Sequence, residues 1–228
     1  PLTHRSTGRT YPHGPAAPGQ AIPVPFGCLL PPNCRPNGTG RPLTGPAGYV
    51  YSVAFSPDGI YLATASEDHT ARIWETNSGR QHIQIVHQDV VHAVIFSPDG
   101  RYLVTGSHDH TAKVWEVHSN RQIAQLAHEG VIYANAIAVS PQSDYVATAS
   151  WDCTVGIWEI ASGKQLARLP HKDLAAAVAF SPTGSHIGTA SWDRTANIWE
   201  VDGWRLSIQL THSDKINSIS FSPGGHYI

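Results

Sequence analysis

One unit of about 41 residues recurs along most of this 228-residue chain. Ser-Pro recurs at intervals of 41, 43, 41 and 41 residues, beginning at Ser56, Ser97, Ser140, Ser181 and Ser222. Tryptophans within Ile-Trp-Glu or Val-Trp-Glu recur at intervals of 41, 43 and 41 residues, at Trp74, Trp115, Trp158 and Trp199. A fixed period of roughly 20 to 50 residues is typical of repeat architectures, in which each unit packs against its neighbours. The period therefore constrains the fold more strongly than any local motif does.

The first unit has the pattern of four short β-strands joined by turns. YSVAF at 51–55 alternates apolar and small side chains, as a half-buried strand does. Ser-Pro-Asp-Gly at 56–59 predicts a chain reversal, because proline presets one turn position and glycine accepts positive φ. YLATAS, ARIW and RQHIQIV follow and are rich in β-forming residues. A sheet of this kind is apolar on both faces, so we expect copies to stack as the blades of an all-β propeller.

Three motifs occur in the same order along the chain. A histidine lies about ten residues before Ser-Pro, Thr-x-Ser-x-Asp-x-Thr follows the turn, and Ile/Val-Trp-Glu comes next. With these motifs the chain resembles the WD-repeat family from about residue 38 to residue 228. The resemblance implies an open arc of four blades plus part of a fifth. The repeats would span about 46–86, 87–127, 128–170 and 171–211, with a partial unit at 212–228.

The units also depart from the family pattern. Glutamate follows each of the four tryptophans where the family usually has aspartate, and Pro46 stands where the first unit should carry its histidine. The third unit has two additional residues before Ser140, and Ser143 replaces the glycine of its turn. We therefore expect a distorted or bulged inner strand in the third unit.

In WD-repeat proteins a buried His, Thr or Ser, Asp and Trp are joined by hydrogen bonds, and the resemblance implies three such polar quartets here. An imidazole can bridge a carboxylate and a hydroxyl, and an indole N–H can supply the last donor. The implied quartets are His87, Thr105, Asp109 and Trp115; His128, Thr148, Asp152 and Trp158; and His171, Thr189, Asp193 and Trp199.

A hydroxyl, a histidine and an aspartate are also the components of a hydrolase triad. An enzyme needs one activated nucleophile, whereas this combination recurs with the repeat period, so we interpret the quartets as structural. No phosphate-binding glycine loop and no defensible carboxylate pair is present in the sequence. We therefore predict no catalytic residue, no cofactor and no metal site.

The resemblance also implies where a partner would bind. Family members commonly bind partners on the narrow top face, through the residue before the turn aspartate and two positions of the inner strand. Several of the residues at these positions are aromatic, as in interface hot spots. The predicted partner-binding residues are Tyr49, Tyr51, Glu67, His92, His108, Tyr133, Asn135, Trp151, Trp192 and Lys215.

The composition argues against nucleic-acid and membrane partners. Fifteen Lys and Arg against 17 Asp and Glu give a formal charge of −2, with no basic run. No apolar run approaches the roughly 18 residues that a membrane span needs. Cys28, Cys34 and Cys153 have no zinc-like pairing, which favours a reducing, cytoplasmic location.

Residues 1–37 are rich in proline and glycine and lack periodicity, so we expect a disordered tail or linker there. The chain contains no methionine, and FSPGGHYI ends partway through a unit. We therefore expect a fragment that needs further blades, supplied by a parent chain or by association.

These features favour a non-catalytic scaffold that binds a protein or peptide on its top face. The alternative is the sensor or targeting region of a larger signalling enzyme, a kinase or an NTPase, whose catalytic domain lies outside this sequence. A propeller that is itself a hydrolase would require unique acidic residues or a metal cluster at its central channel, and the repeat positions supply none.

Overall fold

The structure is a computed structural model that describes residues 46–133 and 136–228. In this part of the chain every regular element is a β-strand. The strands are β1 (Val50–Phe55), β2 (Tyr61–Ser66), β3 (Thr70–Glu75), β4 (Gln81–Val86), β5 (Val91–Phe96), β6 (Tyr102–Ser107), β7 (Thr111–Glu116), β8 (Arg121–Ala127), β9 (Ile137–Val139), β10 (Tyr145–Ala149), β11 (Thr154–Glu159), β12 (Gln165–Pro170), β13 (Ala175–Phe180), β14 (His186–Ser191), β15 (Thr195–Glu200) and β16 (Arg205–Thr211). The predicted tail at 1–37 lies outside the described residues.

Each group of four consecutive strands forms one antiparallel sheet. The sheets are β1-β2-β3-β4, β5-β6-β7-β8, β9-β10-β11-β12 and β13-β14-β15-β16. The inner strands β1, β5, β9 and β13 lie side by side in chain order. The predicted all-β fold of repeated four-stranded blades is confirmed. Within the part of the chain described, no helix has the length and apolar character needed to cross a bilayer.

The serine of each Ser-Pro pair fixes the turn that follows the inner strand. Ser56 Oγ accepts a hydrogen bond from the Tyr61 N–H at 2.9 Å and donates one to Asp58 at 2.6 Å. Gly59 has φ of 72°, and its N–H donates to the Ser56 carbonyl at 2.9 Å. The same serine-to-backbone bond, at 2.9 to 3.0 Å, occurs in the other four units. This repeated bond gives a physical reason for the repeated serine.

A β-bulge lies at the same place in three of the inner strands. The pairing register shifts around Tyr51 in β1, His92 in β5 and Ala176 in β13. A bulge leaves one residue out of the ladder and redirects its side chain. The bulges therefore position Tyr51 and His92 at the end of the sheets that also carries the turns with Asp68 and Asp109.

The third sheet has the irregular inner strand that its extra residues predict. Strand β9 contains only three residues, and residues 131–133 before it have no regular structure. Ser143 adopts φ of 62° in the position where the other turns have glycine. The irregularity is a shortened strand, in contrast to the bulges of β1, β5 and β13.

The apolar core lies between neighbouring sheets. One buried cluster joins the first two sheets, and a larger one joins the second, third and fourth. The outer faces of the arc are open. Val53 and Phe55 of β1 are 61% and 56% exposed, and Ile208 of β16 is 49% exposed. Side chains of this type normally gain about 1.5 to 3 kcal/mol by burial, so these faces are unfavourable in water.

Candidate functional site

The polar quartet of the third sheet is complete in the structure. Asp152 accepts a hydrogen bond from His128 Nδ1 at 2.9 Å, and Thr148 Oγ1 lies 2.7 Å from His128 Nε2. The Trp158 indole N–H donates to the same Thr148 oxygen at 2.7 Å. Because Nδ1 donates to the carboxylate, Nε2 of a neutral imidazole accepts from the hydroxyl. The four side chains therefore form one continuous chain across β10, β11 and the loops at their ends.

The fourth sheet has a looser version of this quartet. Thr189 Oγ1 lies 2.8 Å from His171 Nε2 and accepts from the Trp199 indole at 2.9 Å. His171 Nδ1 is 3.4 Å from Asp193 and makes no hydrogen bond in the described structure. Asp193 instead accepts from the Lys172 N–H and from the Thr195 N–H and hydroxyl. The histidine and aspartate of this quartet remain close but are not hydrogen-bonded.

The second sheet requires a correction to the predicted quartet. His87 lies 2.9 Å from Asp109 and 2.8 Å from Thr105, as the prediction requires. Trp115 does not complete the chain, since its buried Nε1 has no hydrogen-bond partner among the described residues. The Trp115 side chain packs against the apolar cluster between the first two sheets. In that position its indole nitrogen does not reach the Thr105 hydroxyl.

In the first sheet, which lacks the histidine, an arginine pairs with the aspartate. Asp68 lies 2.8 Å from the guanidinium of Arg72 and accepts a hydrogen bond from the Ala47 N–H at 3.0 Å. The Trp74 indole still donates to Thr64, at 3.1 Å. Sequence reasoning missed Arg72, although a cation four residues after the turn aspartate of the unit without a histidine is a usable signal. It also missed Arg168, whose guanidinium lies 3.1 Å from Asp152.

In the third and fourth sheets the lowered pKa values of Asp152 and Asp193 keep these carboxylates ionised at neutral pH, and the lowered pKa values of His128 and His171 keep the imidazoles neutral. Burial lowers the pKa of His128 and of His171, and this effect exceeds the opposing influence of Asp152 and Asp193. Burial alone would raise the pKa of Asp193, but hydrogen bonds from Thr195 and Lys172 lower it to about 2. The pKa of Asp152 is likewise low because its hydrogen bonds outweigh its burial. Each of these quartets therefore carries a net negative charge at neutral pH.

The environment of the quartet hydroxyls suits a structural role. Thr105, Thr148 and Thr189 are each 0% exposed. Thr148 and Thr189 each use their oxygen to contact an imidazole and an indole at once. A nucleophile in such a position has no access to a substrate, whereas the same contacts tie neighbouring strands together.

Most of the predicted top-face residues form one continuous row of rings. Ring centroids are 4.4 Å apart for Tyr51 and His92, 4.2 Å for His92 and His108, and 4.3 Å for His92 and Tyr133. The row continues with 5.6 Å from Tyr133 to Trp151 and 6.2 Å from Trp151 to Trp192. We call these residues the aromatic row: Tyr51, His92, His108, Tyr133, Trp151 and Trp192. It crosses all four sheets on the face that carries the Asp turns.

Two side chains of the partial unit hold the end of the row. Asn217 accepts a hydrogen bond from the Trp192 indole N–H at 2.8 Å. The ammonium of Lys215 lies 3.9 Å from the centre of the Trp192 ring, within cation–π range. Both contacts fix the orientation of the Trp192 ring.

The members of the row differ in exposure. Tyr51, Tyr133 and Trp151 are 43%, 40% and 39% exposed, whereas His92 is only 3% exposed. His92 therefore does not offer a surface to a partner as predicted, because Tyr51, His108 and Tyr133 cover its ring. Neither ring nitrogen of His92 has a hydrogen-bond partner in the described structure. We interpret His92 as the floor on which the exposed rings lie.

The remaining predicted partner-binding residues lie beside the row or outside the described residues. Tyr49 is exposed, and its N–H donates to the Glu67 carboxylate at 3.1 Å. Glu67 is also exposed. Asn135 lies outside the described residues. For residues 46–133 and 136–228, no group of three or more His, Cys, Asp or Glu side chains is placed to hold a metal ion.

We expect acid to destabilise this face through His92. Burial, followed by the proximity of His108, lowers the pKa of His92 from 6.5 to about 4, and Asp89 opposes this shift only weakly. The unfolded chain then binds a proton that the folded chain excludes, so stability falls as the pH drops from 6.5 towards 4. The loss attributable to His92 is on the order of 3 kcal/mol.

Urea unfolding at a series of pH values would measure this loss. His92→Phe keeps an aromatic ring without a titrating group, so its unfolding free energy should depend less on pH than that of the parent chain. His226→Phe, at an exposed position, is the matched control and should keep the parent's pH dependence. An unchanged slope in His92→Phe would contradict the assignment.

Comparison with known proteins supports the repeat structure. The family model described as "WD domain, G-beta repeat" matches residues 38–75, 80–116, 120–159 and 163–200. The curated protein "Ribosome biogenesis protein erb1" of Aspergillus clavatus is 44% identical over 46 residues. That stretch is 20% of this chain and 6% of the relative, so the chain spans only a small part of the protein it matches.

Proposed function

This chain belongs to the WD-repeat family, and from that premise we propose that it is a scaffold whose aromatic row binds a protein or peptide partner. The observation that supports the proposal most strongly is the exposure of Tyr51, Tyr133 and Trp151 within one row of contacting rings. Exposed aromatic side chains held in fixed positions are the usual anchors of protein interfaces. A rigid blade arrangement offers such anchors at little cost in conformational entropy.

We propose no catalytic activity for the chain itself. The quartets serve stability, and the partner is recognised by Tyr49, Tyr51, Glu67, His108, Tyr133, Trp151, Trp192 and Lys215, with His92 beneath them. A cytoplasmic location stays a prediction from cysteine usage. The alternative, a targeting region within a larger kinase or NTPase, would use the same surface, and reading the sequence upstream of Pro1 would test it.

We expect the double substitution Trp151→Ala, Trp192→Ala to abolish partner capture. Removal of two interface anchors should weaken binding by at least about tenfold. The measurement is quantitative mass spectrometry of proteins captured by the tagged chain from cell extract, with the melting temperature of each variant recorded.

Tyr227→Ala is the matched control, because Tyr227 is 77% exposed and follows the turn at the opposite end of the sheets. Its captured proteins should equal those of the parent chain. If the folded tryptophan variant keeps the parent's partners, the aromatic row is not the binding surface and the proposal fails; loss of the partners in Tyr227→Ala would place the surface at the opposite end of the sheets.

A further inference from the structure

The Trp192 ring already holds a cation. The Lys215 ammonium lies 3.9 Å from the ring centre, and the bond from the indole N–H to Asn217 keeps the ring in place. A cation over the face of tryptophan is attracted by the negative potential of the ring. One end of the aromatic row is therefore built to accept a positively charged group.

The top face also carries negative charge close to the row. Asp152 and Asp193 directly follow Trp151 and Trp192, and both carboxylates are ionised beside neutral imidazoles. Arg168 pairs with Asp152, whereas Asp193 has no Lys or Arg within ion-pair distance in the part of the chain described.

Cys153, the residue after Asp152, lies near three carboxylates of this face. Burial raises the pKa of Cys153, and the charges of Asp173, Asp152 and Asp193 raise it further. Beyond the Asp152–Arg168 pair, the carboxylates of Asp173 and Asp193 therefore lie near this turn without a Lys or Arg partner among the described residues. Electrostatic complementarity favours a cationic partner group beside such carboxylates.

Trp151 lies in the same row of rings as Trp192, and its own turn carries the Asp152–Arg168 ion pair. Its ring lies 6.2 Å from the Trp192 ring and 5.6 Å from the Tyr133 ring, and the residue is 39% exposed. Among residues 46–133 and 136–228, no Lys or Arg lies over the Trp151 ring. Resting on the proposed function, we propose that the partner segment presents an arginine or lysine side chain to Trp151, in the way that Lys215 lies on Trp192.

The test compares two peptides that differ only in charge. The chain is immobilised through its N-terminus on a biosensor, and the probes are acetyl-Gly-Ala-Arg-Ala-Gly-amide and the same peptide with citrulline in place of arginine. Citrulline keeps the planar shape of the guanidinium without its charge. We expect the arginine peptide to bind about twofold to fivefold more tightly, and we expect added salt to reduce the difference.

Three variants test which residues bind the arginine peptide. Trp151→Leu should remove the preference for arginine, while Tyr227→Leu should retain it. Lys215→Gln should strengthen binding of the arginine peptide, because it frees the Trp192 ring and removes a competing positive charge. This last variant is read together with Trp151→Leu: unchanged binding of the arginine peptide by folded Lys215→Gln would contradict a preference of the aromatic row for cations.

Equal binding of the two peptides by the parent chain would overturn the inference, as would a preference for arginine that survives in folded Trp151→Leu. Neither result would affect the proposed function, because loss of partner capture in the double tryptophan variant is measured separately. The two failures are therefore distinguishable.

Discussion

Replacement of Asp152 with alanine is expected to lower the free energy of unfolding by about 3 to 5 kcal/mol, because it leaves several buried donors without an acceptor. The Asp152 carboxylate accepts hydrogen bonds from His128, from the Glu129 N–H and from both the N–H and the hydroxyl of Thr154. It also pairs with Arg168. These contacts join the segment before β9, the β10–β11 turn and strand β12 at one end of the third sheet, so their loss should loosen that end of the blade.

Urea unfolding followed by far-ultraviolet circular dichroism would measure the change. Asp202→Ala is the matched control, since Asp202 is exposed on a turn at the other end of the sheets, and such changes usually shift stability by about 0.5 kcal/mol or less. The opposite pattern, unchanged stability with loss of a hydrolytic activity, would mean that the quartet is reaction machinery and would refute its structural assignment.

The isolated 228-residue chain is expected to associate with itself or to be poorly soluble. Val53 and Phe55 of β1 are 61% and 56% exposed, and Leu206, Ile208 and Leu210 of β16 are 47%, 49% and 38% exposed. Open sheet faces and edges of this kind are templates for pairing with other chains. Sedimentation velocity over a range of concentrations should therefore show species larger than a monomer.

Charges placed on the two open faces should suppress this association. The variant Val53→Lys, Ile208→Lys adds one charge to each face, whereas Leu166→Lys adds a charge to β12, away from both faces, and serves as the control. A parent chain that sediments as a sharp monomer and melts cooperatively would show that the open faces are tolerated, contrary to this prediction. If the control suppresses association as well as the double variant, the effect is general solubility.

The sequence period was sufficient to predict the strands and turns, because these elements depend on residues that lie close together in the chain. The serine that closes each turn and the alternation within each strand lie in the same few residues, so they recur with the motif. Contacts between side chains of different strands were less predictable. Arg72 pairs with Asp68 in the unit that has no histidine, and the Trp115 indole does not bond its predicted partner, because such contacts depend on which neighbours fill the same space.

The residues of the top face were also predictable only in part. Motif position placed Tyr133, Trp151 and Trp192 on one face, and the structure brings their rings together. Motif position did not predict that the His92 ring is covered, because the rings that cover it come from three different repeat units. The bulges that redirect Tyr51 and His92 also have no residue signature of their own in the sequence.

The strand order within each sheet affects how the protein can fold during its synthesis. Within each sheet every strand pairs with the next one along the chain, so each of the four described sheets is encoded by one uninterrupted stretch. Short separations between paired strands keep the entropic cost of loop closure small. During translation each blade can form its backbone ladder soon after leaving the ribosome, and its packing face is completed only when the following blade emerges.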